Sequence, residues 1–172
     1  GGGWIDERTT PEPGGFSGRV MREAEELLLS GVRGTGITPV VLRLGGIYGP
    51  GRTRLIDQVR GGSAVIPAAS HFTNRIHRDD AAAAIVHLCT MDAVPGPVYL
   101  GVDNEPAELG EVLGFLAAEL GLPRPASASA GESGGAPSRG GNKRASNALL
   151  RSTGFEFQYP SFREGYRAVL AG

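Results

Sequence analysis

Tyr48 stands in the run Arg43-Leu-Gly-Gly-Ile-Tyr-Gly-Pro-Gly-Arg52, where a phenol flanked by glycines could line a ligand pocket or simply pack within a turn. Arg52 and Arg54 follow it and could meet an anion or remain solvated, as could Lys143 and Arg144 further along. Arg75 and His77 lie just before a helix start. A single imidazole without an identified partner favours a structural role for His77, bonding the backbone and orienting the helix, over acid–base work. The adjacent carboxylates Asp79 and Asp80 look like an acid–base pair, but sequence neighbours diverge at a helix start, so capping is the expectation. His71, His77, His87 and Cys89 do not bring three ligands to one face of one element, since His87 and Cys89 are about 200° apart on a helix. No metal site is expected.

The elements that must position these groups follow from periodicity. Val40-Val-Leu-Arg-Leu44 suits a strand buried on both faces of a parallel sheet, and the glycines after it let a loop pass close to a ligand at the strand's carboxyl end. Ahead of it, residues 4–15 have a loop composition, and a helix capped by Ser17 places Val20, Ala24, Leu27 and Leu28 on one face before Gly31, Gly34 and Gly36 stop it. Leu55, Ile56 and Val59 mark a helix over residues 54–60, ended by Gly61-Gly62; residues 64–66 and 75–77 read as brief strands or extended loop. A helix from Asp79-Asp80 runs through Ala81–Leu88 and carries Cys89 into core packing. Pro95-Gly96 turns into a second buried strand over Val98–Val102, and Leu109, Val112, Leu113, Leu116, Ala117 and Leu120 form an amphipathic stripe. Residues 125–141, rich in Ala, Ser, Gly and Pro, read as a mobile loop; a short helix over 146–152, an extended piece over 155–158 and a closing helix over 162–170 complete the chain.

The class is α/β, and 172 residues with 40% hydrophobic and 20% charged content suit one globular domain. A formal net charge of -1 offers no global attraction to nucleic acid or anionic lipid, so neither is expected as a partner. No apolar run approaches the roughly 18–20 residues that span a bilayer, and the N-terminus lacks a signal pattern; with one cysteine and no internal disulfide, a reducing cytoplasmic location is expected. Both long strands look like interior members of a sheet whose neighbours are missing, and the chain opens Gly1-Gly2-Gly3-Trp4 without a methionine. A processed, truncated or incompletely recorded start is the expectation.

Several of these residues together carry a resemblance. Trp4-Ile-Asp-Glu7 with Thr10-Pro11, Ala24-Glu25, the Arg43–Arg52 run and Asn74-Arg-Ile-His-Arg-Asp-Asp80 resemble the extended short-chain dehydrogenase/reductases, the NAD-dependent epimerase/dehydratase family. Asn142-Lys-Arg-Ala-Ser-Asn147 through Gly154-Phe155 to Tyr159-Pro-Ser-Phe-Arg-Glu-Gly165 resembles the atypical branch grouped as nucleoside-diphosphate-sugar epimerases. The resemblance implies the C-terminal portion of a Rossmann-like doubly wound parallel sheet with a small substrate-binding subdomain, without the Gly-rich half that holds a dinucleotide pyrophosphate. Gly34-Thr-Gly36 is no substitute, because it follows a helix and precedes a strand.

The resemblance further implies NAD or NADP as cofactor, which would require the absent half, with Leu44, Gly45, Gly46 and Ile47 passing the nicotinamide. It implies a nucleotide-sugar-like substrate near Tyr48, Arg52, Arg75 and His77, and a homodimer through the helix over Ser17–Leu29. Family members carry a Tyr and a Lys four residues apart on that helix, the Tyr exchanging a proton with substrate and the Lys lowering its pKa. Alignment on Ala24-Glu25 puts Ser17 and Met21 there. Neither does that work, which counts against ordinary Tyr-assisted hydride transfer and leaves the catalytic residues unassigned. A non-catalytic dinucleotide-binding sensor and an inactive fragment stand as the alternatives.

Overall fold

The computed structural model describes residues 1–92, 96–129 and 141–172. In chain order they form β1 (Gly3–Ile5), α1 (Phe16–Gly31), β2 (Val41–Leu44), β3 (Gly46–Tyr48), α2 (Arg54–Arg60), β4 (Phe72–Thr73), β5 (Arg75–His77), α3 (Arg78–Thr90), β6 (Val98–Gly101), β7 (Ala107–Glu108), α4 (Leu109–Glu119), β8 (Lys143–Ala145), α5 (Ala148–Ser152) and α6 (Phe162–Ala171). Among the described residues the strands pair two by two: β2 with β6, β3 with β5 and β1 with β8 are parallel, and β4 with β7 is antiparallel. The parallel pairs make the α/β architecture expected from the sequence.

The two strands read as interior members pair with each other, Val41 opposite Val98 through Leu44 opposite Gly101. Gly101 lets the side chains of β2 lie close: a Cβ here would come within 2.7 Å of the Leu44 Cδ2 methyl and 3.1 Å of Leu42 Cδ1, and both would have to shift. Strand β6 is enclosed, with Tyr99 fully buried against Ala84 and Leu88 of α3 and Leu150 of α5. Strand β2 is only half-buried and its second edge is unpaired among the described residues, so the expected burial on both faces holds for β6 and not for β2.

The largest apolar cluster lies elsewhere. It packs Ile56 and Val59 of α2, Val112, Leu113 and Leu116 of α4, and Phe162 and Tyr166 of α6 around Tyr48. Helix α6 starts with a capping box: Ser161 Oγ accepts from the Arg163 amide, and the Glu164 carboxylate accepts from the Ser161 amide.

Several expectations are corrected. Residues 3–5 are a strand, because Gly3–Ile5 pair with Lys143–Ala145, a partner far away in sequence. Helix α1 begins at Phe16 with Gly15 as its N-cap, so Ser17 lies inside it and caps nothing. The face bearing Val20, Ala24, Leu27 and Leu28 is exposed, and no residue of α1 is buried. The helix is held to β2 by Glu25, whose carboxylate accepts from Arg43 Nε at 3.1 Å and Nη2 at 2.6 Å. Cys89 is exposed on α3, not in the core. Of the loop expected over residues 125–141, the part 130–140 lies outside the described residues, and Ala126–Ala128 bond to Ile66 main chain at 2.9 and 2.8 Å. No described helix is long and apolar enough to cross a membrane.

Candidate functional site

The turn after β2 is built on close approach. Gly45 N–H donates to the Gly101 carbonyl and Gly46 N–H to the Asn74 carbonyl, both at 2.9 Å, tying the turn to the ends of β6 and β5. A Cβ on Gly45 would lie 3.1 Å from the Arg75 amide nitrogen and from the Asn74 carbonyl carbon and 3.0 Å from a Val102 methyl, so any side chain here would press on the backbone entering β5. Leu44 and Gly46 remain exposed beside this junction, an apolar step without a side-chain wall. Gly51, at φ 78°, then reverses the chain into α2.

Tyr48 points inward. It is 4% exposed, stacks on Tyr166 of α6 with centroids 4.3 Å apart, and meets His77 edge-on at 5.4 Å. Burial, followed by the Asp103 charge, pushes its phenol well above the usual tyrosine range, so it keeps its proton at neutral pH. His77 is equally buried; its Nδ1 accepts from the Asp79 amide at 3.2 Å and caps α3. Burial lowers the His77 pKa, so the ring is neutral at pH 7, with its proton on Nε2 while Nδ1 accepts. The backbone-bonding role expected for His77 is therefore observed, and it displaces the capping expected of Asp79 and Asp80. Asp80 instead turns inward and accepts from the amides of Gln158 and Tyr159 at 2.8 and 2.9 Å, fastening the segment before α6 to α3.

Arg75 is also interior. Its guanidinium donates to Thr73 Oγ1 and lies 5.4 Å over the Phe162 ring. Asp103, two residues beyond β6, is 1% exposed, and burial raises its carboxyl to about 7 against the lowering pull of Arg75. Asp103 is absent from the candidates read off the sequence, where the available signal is an acidic side chain directly after the apolar run Val98–Val102.

Arg52 lies apart from these three. With Gly51, Thr53, Arg54, Asp57, Gln58 and Ser63 it lines an open groove of about 470 Å³. Neither Arg52 nor Arg54 has a side-chain hydrogen-bond or ion-pair partner among the described residues, whereas Asp57 is occupied by Thr53 Oγ1 at 2.8 Å. The residues expected around one ligand thus divide into an interior set, Tyr48, Arg75 and His77, and a surface cleft carrying two unpaired guanidiniums. Among the described residues no group of three His, Cys, Asp or Glu could hold a metal.

No family sequence model matches the chain, and no curated protein matches it either. Solved structures do. A Methylobacillus flagellatus protein assigned as an NAD-dependent epimerase/dehydratase superposes with a TM-score of 0.79 at 40% identity, over 99% of this chain and 58% of its own. A conserved Silicibacter pomeroyi protein of unknown function gives 0.81 at 30% identity, over 99% and 61%. A Bacillus cereus UDP-glucuronic acid 4-epimerase, in complex with UDP-glucuronic acid and NAD, gives 0.78 at 18% identity, over 99% and 56%, a likeness of fold. The chain thus spans about three fifths of the length of these structures. In fold, and with two fifths of its residues identical over the matched part, the chain is similar to the C-terminal three fifths of the Methylobacillus NAD-dependent epimerase/dehydratase.

Proposed function

We propose that this chain forms the substrate-side portion of an NAD(P)-dependent epimerase/dehydratase-type oxidoreductase that takes a nucleotide-sugar-like ligand. The observation carrying this reading is the groove at the end of the Gly-rich turn, in which Arg52 and Arg54 offer free guanidiniums suited to a diphosphate. The Bacillus cereus epimerase, solved with a nucleotide sugar and NAD, supports the ligand class. Leu44, Gly45, Gly46 and Ile47 would meet the nicotinamide side; the exposed Leu44 next to a side-chain-free Gly46 fits the approach of a flat ring. The pyrophosphate would need a strand, Gly-rich turn and helix beyond these residues. When bound, the dinucleotide supplies hydride transfer. In this reading Tyr48, Arg75 and His77 hold the turn against the interior and Arg52 contacts the ligand. Assembly as a homodimer through the exposed face of α1 and a cytoplasmic location belong to the same reading.

Calorimetric titration of UDP-glucuronic acid into the full-length, NAD-saturated protein tests it. Arg52→Ala and Arg54→Ala should each weaken binding roughly tenfold. Equal affinity in the variants would remove the groove from the reading, and no NADPH binding at millimolar levels would remove the reading altogether. A second reading, a dinucleotide-binding sensor without turnover, is favoured by one observation: α1 contains neither Tyr nor Lys, and Ser17 and Met21 are both exposed on it. Turnover of nucleotide sugars by the cofactor-loaded protein separates the two.

A further inference from the structure

Arg75 and Asp103 are opposite charges buried side by side, 4% and 1% exposed. Their main chains are joined, Asp103 N–H donating to the Arg75 carbonyl at 2.7 Å. Yet Arg75 Nη1 and Asp103 Oδ2 are each buried without a hydrogen-bond partner among the described residues, so the two side chains do not close on each other. Asp103 Oδ1 does accept from the Glu105 amide, at 3.2 Å, but with Oδ2 unpaired and Arg75 out of reach the buried carboxylate is only partly compensated.

The loop that Asp103 begins is the tie between β6 and the C-terminal helices. Asn104 N–H donates to the Pro160 carbonyl at 2.9 Å, Glu105 pairs with Arg163 of α6 at 3.2 Å, and Asn147 donates to the Val102 carbonyl and to Asn104 Oδ1 at 2.9 and 2.8 Å. The groups facing Asp103 come from every side: Arg75 of β5, Glu105 in its own loop, Tyr48 of β3, and Glu164 and Tyr166 of α6. Of these, only Arg75 is positive.

We propose that Arg75 and Asp103 form a buried latch that loosens the seating of α6 against Tyr48 when Asp103 takes on its charge. A neutral Asp103 leaves the loop packed; an ionised one, facing two glutamates and a guanidinium it does not touch, draws the loop toward water. Because the folded-state carboxyl titrates at about 7, above the ordinary aspartate, the folded chain holds an extra proton between about pH 4 and about pH 7. Stability is therefore highest below that window and declines as pH rises through it.

Carbon-detected NMR titration of the Asp103 carboxyl in the full-length protein, assigned with Asp103→Asn, should give a midpoint near neutrality. Arg75→Met should move it upward and Arg75→Lys should restore it. The urea midpoint should fall between about pH 5 and about pH 8 in the parent, with a smaller fall in Asp103→Asn. Amide exchange of Gly165 and Tyr166, corrected for intrinsic rates, should quicken over the same interval only when Asp103 is present. An Asp103 midpoint near 4, or urea midpoints whose pH dependence is unchanged by Asp103→Asn, overturns the latch; the parent titration decides this even if Arg75→Met does not fold.

Discussion

Tyr48 and Gly165 meet so closely that a Cβ at Gly165 would occupy the space of the Tyr48 hydroxyl. That contact explains a glycine in the first turns of α6, where helix propensity alone would favour alanine. Gly165→Ala should destabilise the fold by about 1–3 kcal/mol through overpacking. Tyr48→Phe should cost little by itself, because the phenol donates to the Ser161 carbonyl only at a long 3.5 Å, and it should recover part of the Gly165→Ala loss. A double-mutant cycle in urea measures that coupling; strict additivity of the two changes would contradict the contact. At this scale the candidate site was partly legible. The residue types were found, and His77 as a backbone acceptor followed from its place before a helix. The inward turn of Tyr48, Arg75 and Asp80 did not follow, because which way a side chain points depends on α6, whose approach no local pattern encodes.

Among the elements, α1 and α4 show opposite relations between pattern and burial. The stripe on α4 is buried as its periodicity predicts, with Val112 and Leu116 at 0% exposure. The comparable face of α1 leaves Leu27 at 72% and Phe16 at 75% exposure, its attachment to β2 resting on the Arg43–Glu25 pair. A helix without buried residues opens locally at little cost. Native-state hydrogen exchange of this 172-residue chain should therefore show α1 amides exchanging well ahead of those in α4, and Glu25→Gln should quicken α1 further while leaving α4 unchanged. Equal protection of the two helices would mean that α1 is buried in solution by something outside the described contacts.

For the molecule as a whole, an exposed apolar helix face and a β2 edge without a partner among the described residues lie on a chain that spans about three fifths of the length of the solved structures it matches. The proposed homodimer makes a direct prediction: Leu27→Arg in the full-length protein should shift sedimentation toward the monomer, and since Leu27 is largely exposed within one chain, the far-UV circular dichroism of the folded protein should not change. Unchanged sedimentation would place any self-association elsewhere.

What the sequence determined by itself was the order and type of the longer elements, the two apolar strands, the helix over residues 54–60, the helix from Asp79-Asp80, the amphipathic stripe from Leu109 to Leu120, the closing helix over 162–170, and a family pattern around the Gly-rich turn. These follow from local periodicity, breaker residues and short motifs, which act over a few neighbours. Tertiary structure alone decided that Gly3–Ile5 is a strand, that the two interior-looking strands pair with each other, and that Arg75 and Asp103 are buried together while Arg52 faces a groove. Each of those outcomes depends on a partner tens of residues away or on the surface a distant helix happens to cover, and such information is carried by the assembled chain rather than by any window along it.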